Sequence, residues 1–151
     1  MIIELMPEQA AALWPFLKHG ITATSASFTD KSSLVVAEKL LDGIVCGLIS
    51  VWAHIEYPDK ETMTLTGFAL THIYSDPVTT DRIVFLYLVY TFVVPTKEFV
   101  HEFLTTLRQY ANNINADRIL SVSYKPTIMD RYLNQLDGID KVGSIYSIDF
   151  K

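Results

Sequence analysis

A strand that runs straight into a helix is a common seat for phosphate in α/β proteins. Residues 88–111, LVYTFVVPTKEFVHEFLTTLRQYA, have that form. The chemistry of such a junction is anion binding: the free amides of the first helical turn donate hydrogen bonds, and the helix dipole places its positive end there. Glycines usually let the backbone approach the phosphate closely. The corner here is Val94-Pro95-Thr96-Lys97-Glu98 and holds no glycine. Thr96 is placed to cap the helix, and Glu98 puts an acidic side chain in the first turn, where the dipole favours it. These residues make a good helix start and a poor phosphate seat.

Other reactive residue types are few. His54 and His72 fall in two consecutive strand-like stretches, and a hairpin would bring them near each other. Two histidines do not make a metal site, and no carboxylate or cysteine spacing adds ligands, so no metal is expected. Cys46 is the single cysteine, which excludes an intramolecular disulfide. In GIVCGLISVWA it reads as a buried, inert strand thiol, with nothing beside it to lower its pKa. There is no Gly-x-Ser-x-Gly, His-Glu-x-x-His or P-loop pattern.

The elements that must position these residues follow from periodicity and punctuation. A strand is expected over 2–5 and a helix over 7–19, with Pro15 splitting it and Gly20 stopping it. ITATSASF reads as a loop. Asp30 would cap a helix over 32–42 that Gly43 ends. Three strands follow, over 44–57, 62–75 (with a bulge at Gly67) and 83–94. The last is apolar at nearly every position, as in a strand covered on both faces. The helix after Pro95 has its buried stripe on Phe99, Phe103, Leu107, Tyr110 and Ile114, flanked by Val100, Leu104 and Ala111. ADRILSVSY is a strand, 126–136 a helix, and KVGSIYSIDF a closing strand. The strand–helix–strand unit from residue 83 demands a parallel pair with a right-handed crossover. The fold class is α/β in the mixed α+β sense: one domain over 1–151, with a mostly antiparallel sheet of about six strands and about four helices.

Composition narrows the function. The chain has 151 residues, half of them hydrophobic, and a formal charge of −5. That suits a packed globular domain and argues against a nucleic-acid partner, which needs a basic face. The longest apolar run falls well short of the ~20 residues that span a bilayer, so no membrane is expected. The single cysteine suits a reducing, cytoplasm-like compartment, and the first residues lack the basic segment and long apolar run of a signal peptide, so a soluble, cytoplasmic protein is expected.

The element order resembles the GNAT acetyltransferase superfamily. RQYANNINADRILSVS is similar to that superfamily's long helix running into its fifth strand. DRYLNQLDGIDKVGSIYSIDF is similar to its last helix and closing strand, with Gly138-Ile139 standing for the family's Gly-Phe. Trp14-Pro15 inside the first helix is more narrowly similar to GNAT-like proteins of tailed bacteriophages. The resemblance implies an acyl-CoA cofactor such as acetyl-CoA. Its pyrophosphate would lie on a loop of the form Gln/Arg-x-x-Gly-x-Gly/Ala, and its pantetheine arm between splayed strands four and five. Carried across, the loop falls on Val93, Val94, Thr96, Lys97 and Glu98, which lack the Arg and both glycines. The family's tyrosine, which protonates the leaving thiolate, falls on Asn134. Tyr132 and Tyr124 are then the candidate acids, and Glu56, His54 and His72 the candidate general bases.

Two readings follow. The first is a GNAT-fold protein with a degenerate acyl-CoA site and weak or no catalysis. It would act as an interaction or assembly module in the host cytoplasm or in a virion, with a second copy or another protein, such as a phage structural protein, as partner. The other is an active acyl-CoA-dependent N-acyltransferase in which an amine attacks directly. Sixteen Phe and Tyr residues are generous for a monomer this size and favour an interface.

Overall fold

The architecture is that of a computed structural model, which describes residues 1–25, 31–59 and 61–122. Strands β1 (Ile2–Leu5), β2 (Ile49–Glu56), β3 (Thr64–Ser75), β4 (Arg82–Thr91) and β5 (Arg118–Ser121) form one sheet in that spatial order. The first three joints are antiparallel, and β4 pairs with β5 in parallel. The helices are α1 (Pro7–Ala12), α2 (Trp14–Ser25), α3 (Ser33–Val45) and α4 (Lys97–Asn113), and α4 is the crossover between the parallel strands. The mixed sheet and four helices match the expected class, with five strands among the described residues. The expected helix over 126–136 and the closing strand lie outside those residues, as does Asp30.

Pro15 splits the first helical segment as expected, with α1 ending before Leu13 and α2 starting at Trp14. The two expected glycine stops do not stop anything. A Cβ on Gly20 would sit 2.6 Å from the Phe68 ring and 2.7 Å from the Tyr90 ring. The glycine gives two aromatic rings room against the helix, and α2 runs on through ITATS to Ser25. Gly43 does the same for Ile49, whose Cδ1 would lie 2.7 Å from an added Cβ. Helix α3 therefore continues to Val45 and is closed by Gly47, at φ +72°, a conformation that glycine adopts without strain. This corrects the reading of Cys46. It caps α3 and is exposed, not buried in a strand.

The sheet carries a cluster on each face. Under α1–α3 lie Val51, Ala53, Ile55, Phe68, Leu70 and Leu88, packed with Leu17, Ile21, Ala37, Leu40 and Ile44. Under α4 lie Trp52, Ala69 and Leu86, packed with Phe103 and Leu107. Strand alternation sorts β2 and β3 between the faces. In β4, Leu88 faces Leu70 and Leu86 faces Thr71, so Tyr87 is an extra residue with no opposite number. This bulge reverses the alternation: Leu86 joins the α4 cluster and Leu88 the other one. A second bulge leaves Thr66 unmatched between Gly67, opposite His54, and Leu65, opposite Ile55. It lies beside the expected Gly67.

Candidate functional site

Two places gather the residues that sequence singled out: the corner between β4 and α4, and the α4 face of the sheet around His54.

At the corner, the ladder between β4 and β5 runs from Ile83/Arg118 to Leu86/Ser121, where β5 ends. The Ser121 hydroxyl donates to the Leu86 carbonyl at 3.3 Å. Strand β4 continues to Thr91, paired with β3. The Phe92 amide donates to Thr66 of β3, so by the period of two Val89 and Thr91 turn their backbone groups toward the opposite edge. Val93 and Val94 are exposed. Thr96 is the N-cap of α4, its hydroxyl accepting from the Phe99 amide at 3.2 Å. The Glu98 carboxylate is held below its usual range by its own backbone amide first, then by the Thr96 hydroxyl, with the Lys97 charge assisting. Two of the first-turn donors that an anion would use, the amides of Phe99 and Glu98, are thus engaged by the chain's own Thr96 hydroxyl and Glu98 carboxylate. Beside them runs a cleft of about 550 Å³ along α4, lined by Lys97, Glu98, His101, Glu102, Thr105 and Thr106.

His54 is buried on the α4 face. Its Nδ1 lies 2.5 Å from the Thr66 hydroxyl and 3.9 Å from Glu56 Oε1. Its Nε2 lies 3.5 Å from Glu102 Oε2 and 3.4 Å from the Met1 amine. The Phe99 ring meets the imidazole edge-on at 4.7 Å. Carboxylate, imidazole and hydroxyl are thus in line, the order of a nucleophilic relay. Thr66 and His54, however, are each only 6% exposed, so a substrate carbonyl has no approach to the hydroxyl. The arrangement instead fastens the start of α4 to the sheet. Glu102 completes it by accepting the Ile2 amide at 3.1 Å and pairing with the Met1 amine at 3.3 Å.

The other candidates are scattered. Glu56 is exposed at the end of β2. His72 is exposed, with Nδ1 3.0 Å from the Leu48 carbonyl. The two histidines are not neighbours: His54 pairs with Gly67 and His72 with Ile49, at opposite ends of the ladder and on opposite faces. Tyr124 and Tyr132 lie outside the described residues. Among the described residues no three His, Cys, Asp or Glu side chains gather as metal ligands, and no helix is long and apolar enough to cross a membrane. Sequence reasoning passed over Glu102, and placed Tyr110 in the buried stripe without a role for its hydroxyl. Glu102 follows Phe99 by one helical turn, so it shares the edge of the buried stripe. Tyr110 sits edge-on to Trp52 at 4.8 Å. Burial pushes its hydroxyl pKa up, aided by the Glu4 charge and opposed by a hydrogen bond with Ser50.

No protein-family model matches the chain, and no curated protein matches it in sequence. Solved structures match it in fold over nearly its whole length. A ribosomal-protein-alanine N-acetyltransferase from Brucella melitensis biovar Abortus 2308 superposes with a TM-score of 0.68 at 17% identity, covering 99% of both chains. The aminoglycoside acetyltransferase meta-AAC0020, from an uncultured soil metagenomic sample and in complex with trehalose, gives 0.69 at 10% identity, covering 100% of this chain and 96% of its own. AAC(6')-Iy, in complex with the bisubstrate analogue CoA-S-monomethyl-acetylneamine, gives 0.67 at 12% identity, covering 100% of this chain and 97% of its own. The likeness at these identities is one of fold, and the fold is that of the GNAT acetyltransferases.

Proposed function

We propose that this chain is a GNAT-fold protein whose acyl-CoA site is degenerate, that it transfers acyl groups weakly or not at all, and that it acts by binding another protein. The observation that carries this is the start of α4. In the fold's acyl-CoA enzymes, as the family resemblance implies, the pyrophosphate lies there. Here the carboxylate of Glu98 lies against its own first-turn amide, and the environment holds it charged. A pyrophosphate would meet a like charge and a backbone without glycine. The resemblance of Trp14-Pro15 to phage-encoded relatives extends the proposal to a phage protein, in the host cytoplasm or the virion, with a phage structural protein or a second copy as partner.

One observation favours the alternative, an active N-acyltransferase. Strand β4 outruns β5 among the described residues, so Val89 and Thr91 face an edge that an extended ligand such as pantetheine would pair with.

Isothermal titration with acetyl-CoA decides between them. The expected result is no binding tighter than about millimolar, about −4 kcal/mol. Micromolar affinity would overturn the proposal in favour of the enzyme. If Glu98→Gly creates affinity that the parent chain lacks, the carboxylate and the stiff backbone are the obstacle.

A further inference from the structure

The β1 edge and the turn between α3 and β2 enclose a second cleft, of about 260 Å³, that neither reading above uses. Its apolar surface comes from Leu5, Ile44 and Ile49, and its polar side from Glu4 and Ser50. Met6, which also lines it, is 63% exposed. The volume lies just below the ~300–1,000 Å³ of small-molecule sites, so it suits one long side chain better than a cofactor.

The charge at this cleft is one-sided. Among the described residues the acidic partners in ion pairs are Glu56, Asp81 and Glu102, and no lysine or arginine pairs with Glu4. An exposed carboxylate beside an apolar trough is the complement of an aliphatic stem that ends in a cation. The adjoining backbone fits an extended partner. The Met1 amine donates to the Ile55 carbonyl at 3.1 Å and the Ile55 amide returns the bond at 2.9 Å, so Met1 faces β2. By the period of two, Ile2 and Glu4 turn their backbone groups to the outer edge. Ile2 already gives its amide to Glu102, which leaves the Glu4 end of the edge, next to the cleft.

We infer that this cleft receives a lysine side chain from a short extended segment of a partner protein, its stem on Leu5, Ile44 and Ile49 and its ammonium on Glu4. The segment pairs with β1 at Glu4 and no further, because the Glu102 carboxylate blocks the amide of Ile2.

The test is an amide NMR titration of the full chain with the peptide acetyl-Thr-Val-Lys-Val-Thr-amide, beside the same peptide with norleucine in place of lysine. The lysine peptide is expected to shift Glu4, Met6 and Gly47 with sub-millimolar affinity, and the norleucine peptide to bind about tenfold more weakly. Glu4→Gln is expected to bring the lysine peptide down to the norleucine level, and added salt to act in the same direction. Equal affinity of the two peptides, shifts confined to other surfaces, or an unchanged affinity in Glu4→Gln would each overturn the assignment. So would a Glu4-dependent dimer in the absence of peptide, which would give the cleft to a second copy. The inference rests on the reading of the chain as a protein-binding module, and the two fail separately. Micromolar acetyl-CoA affinity removes that reading, whereas a silent lysine peptide removes only this site.

Discussion

The two faces of the sheet are made by the same strands and are built on different chemistry. The face under α1–α3 is filled with aliphatic and aromatic side chains, and the rings of Phe68, Tyr90 and Phe92 pack together there. The face under α4 carries the buried polar residues His54, Thr66 and Thr71. Each has a partner: His54 and Thr66 bond each other, and Thr71 accepts from the Trp52 indole at 2.8 Å. Among the described residues no buried side-chain nitrogen or oxygen lacks a hydrogen bond. The difference teaches that reactive residue types here set the place of a helix. The apolar face supplies bulk stability, and the polar face fixes where α4 begins.

The largest expected effect tests the apolar face. Phe68→Ala should cost about 3–5 kcal/mol in urea unfolding, because the cavity it leaves is walled by other rings and by Gly20. A loss as small as that of a polar-face variant would erase the contrast. On the polar face, Thr71→Val keeps the shape and strips the Trp52 indole of its acceptor. It should cost about 1–3 kcal/mol, and adding Trp52→Phe should recover part of that, since removing both polar partners is milder than orphaning one. If the double variant is instead the sum of the two single ones, the hydrogen bond is not what holds the pair. Thr96→Ala removes the cap of α4 and should lower the unfolding free energy by about 1 kcal/mol.

The smallest effects are those of pH. Tyr110 has a raised pKa when folded, so the stability it contributes is present below the ordinary tyrosine value of ~10 and is lost as pH rises through the folded value. Thermal melts of Tyr110→Phe should fall off less steeply at alkaline pH than those of the parent. Glu98 runs the other way. Its pKa is depressed, so its contribution is present above the ordinary carboxylate value and fades as pH falls through the folded one. Glu98→Gln should flatten the acid side of the curve slightly, and a flattening as large as that on the alkaline side would reverse this ranking.

Much of this fold was legible from periodicity and punctuation. The stripe on α4, the Thr96 cap and the break at Pro15 are local features, and local chemistry settles them. The glycines misled for a different reason. Gly20 and Gly43 serve distant residues, Phe68, Tyr90 and Ile49, and a neighbour far away in sequence leaves no mark beside the glycine. The run GIVCGLISVWA is apolar throughout, so its period does not say where helix gives way to strand. The site was harder still. The separation of His54 from His72 depends on the register across a hairpin whose long turn leaves it unfixed, and a shift of one residue changes faces. The engagement of the α4 amides was readable, because Thr96 and Glu98 are themselves the first-turn residues.

The extra residue at Tyr87 has a consequence for inheritance. On either side of it the strand obeys the same alternation in opposite phase, so Tyr87 works as a comma between two clauses. A gene that lost this one codon would still encode every core side chain. With the extra residue gone, Leu88 would follow Leu86 in plain alternation and still lie opposite Leu70, so Leu88, Tyr90 and Phe92 would keep their places in the α1–α3 cluster. Point substitutions at Tyr87 itself, which is exposed, leave the phase intact. For this strand, then, the packing fixes the phase on each side of Tyr87, and the residue that makes up the count is the one that the core can spare.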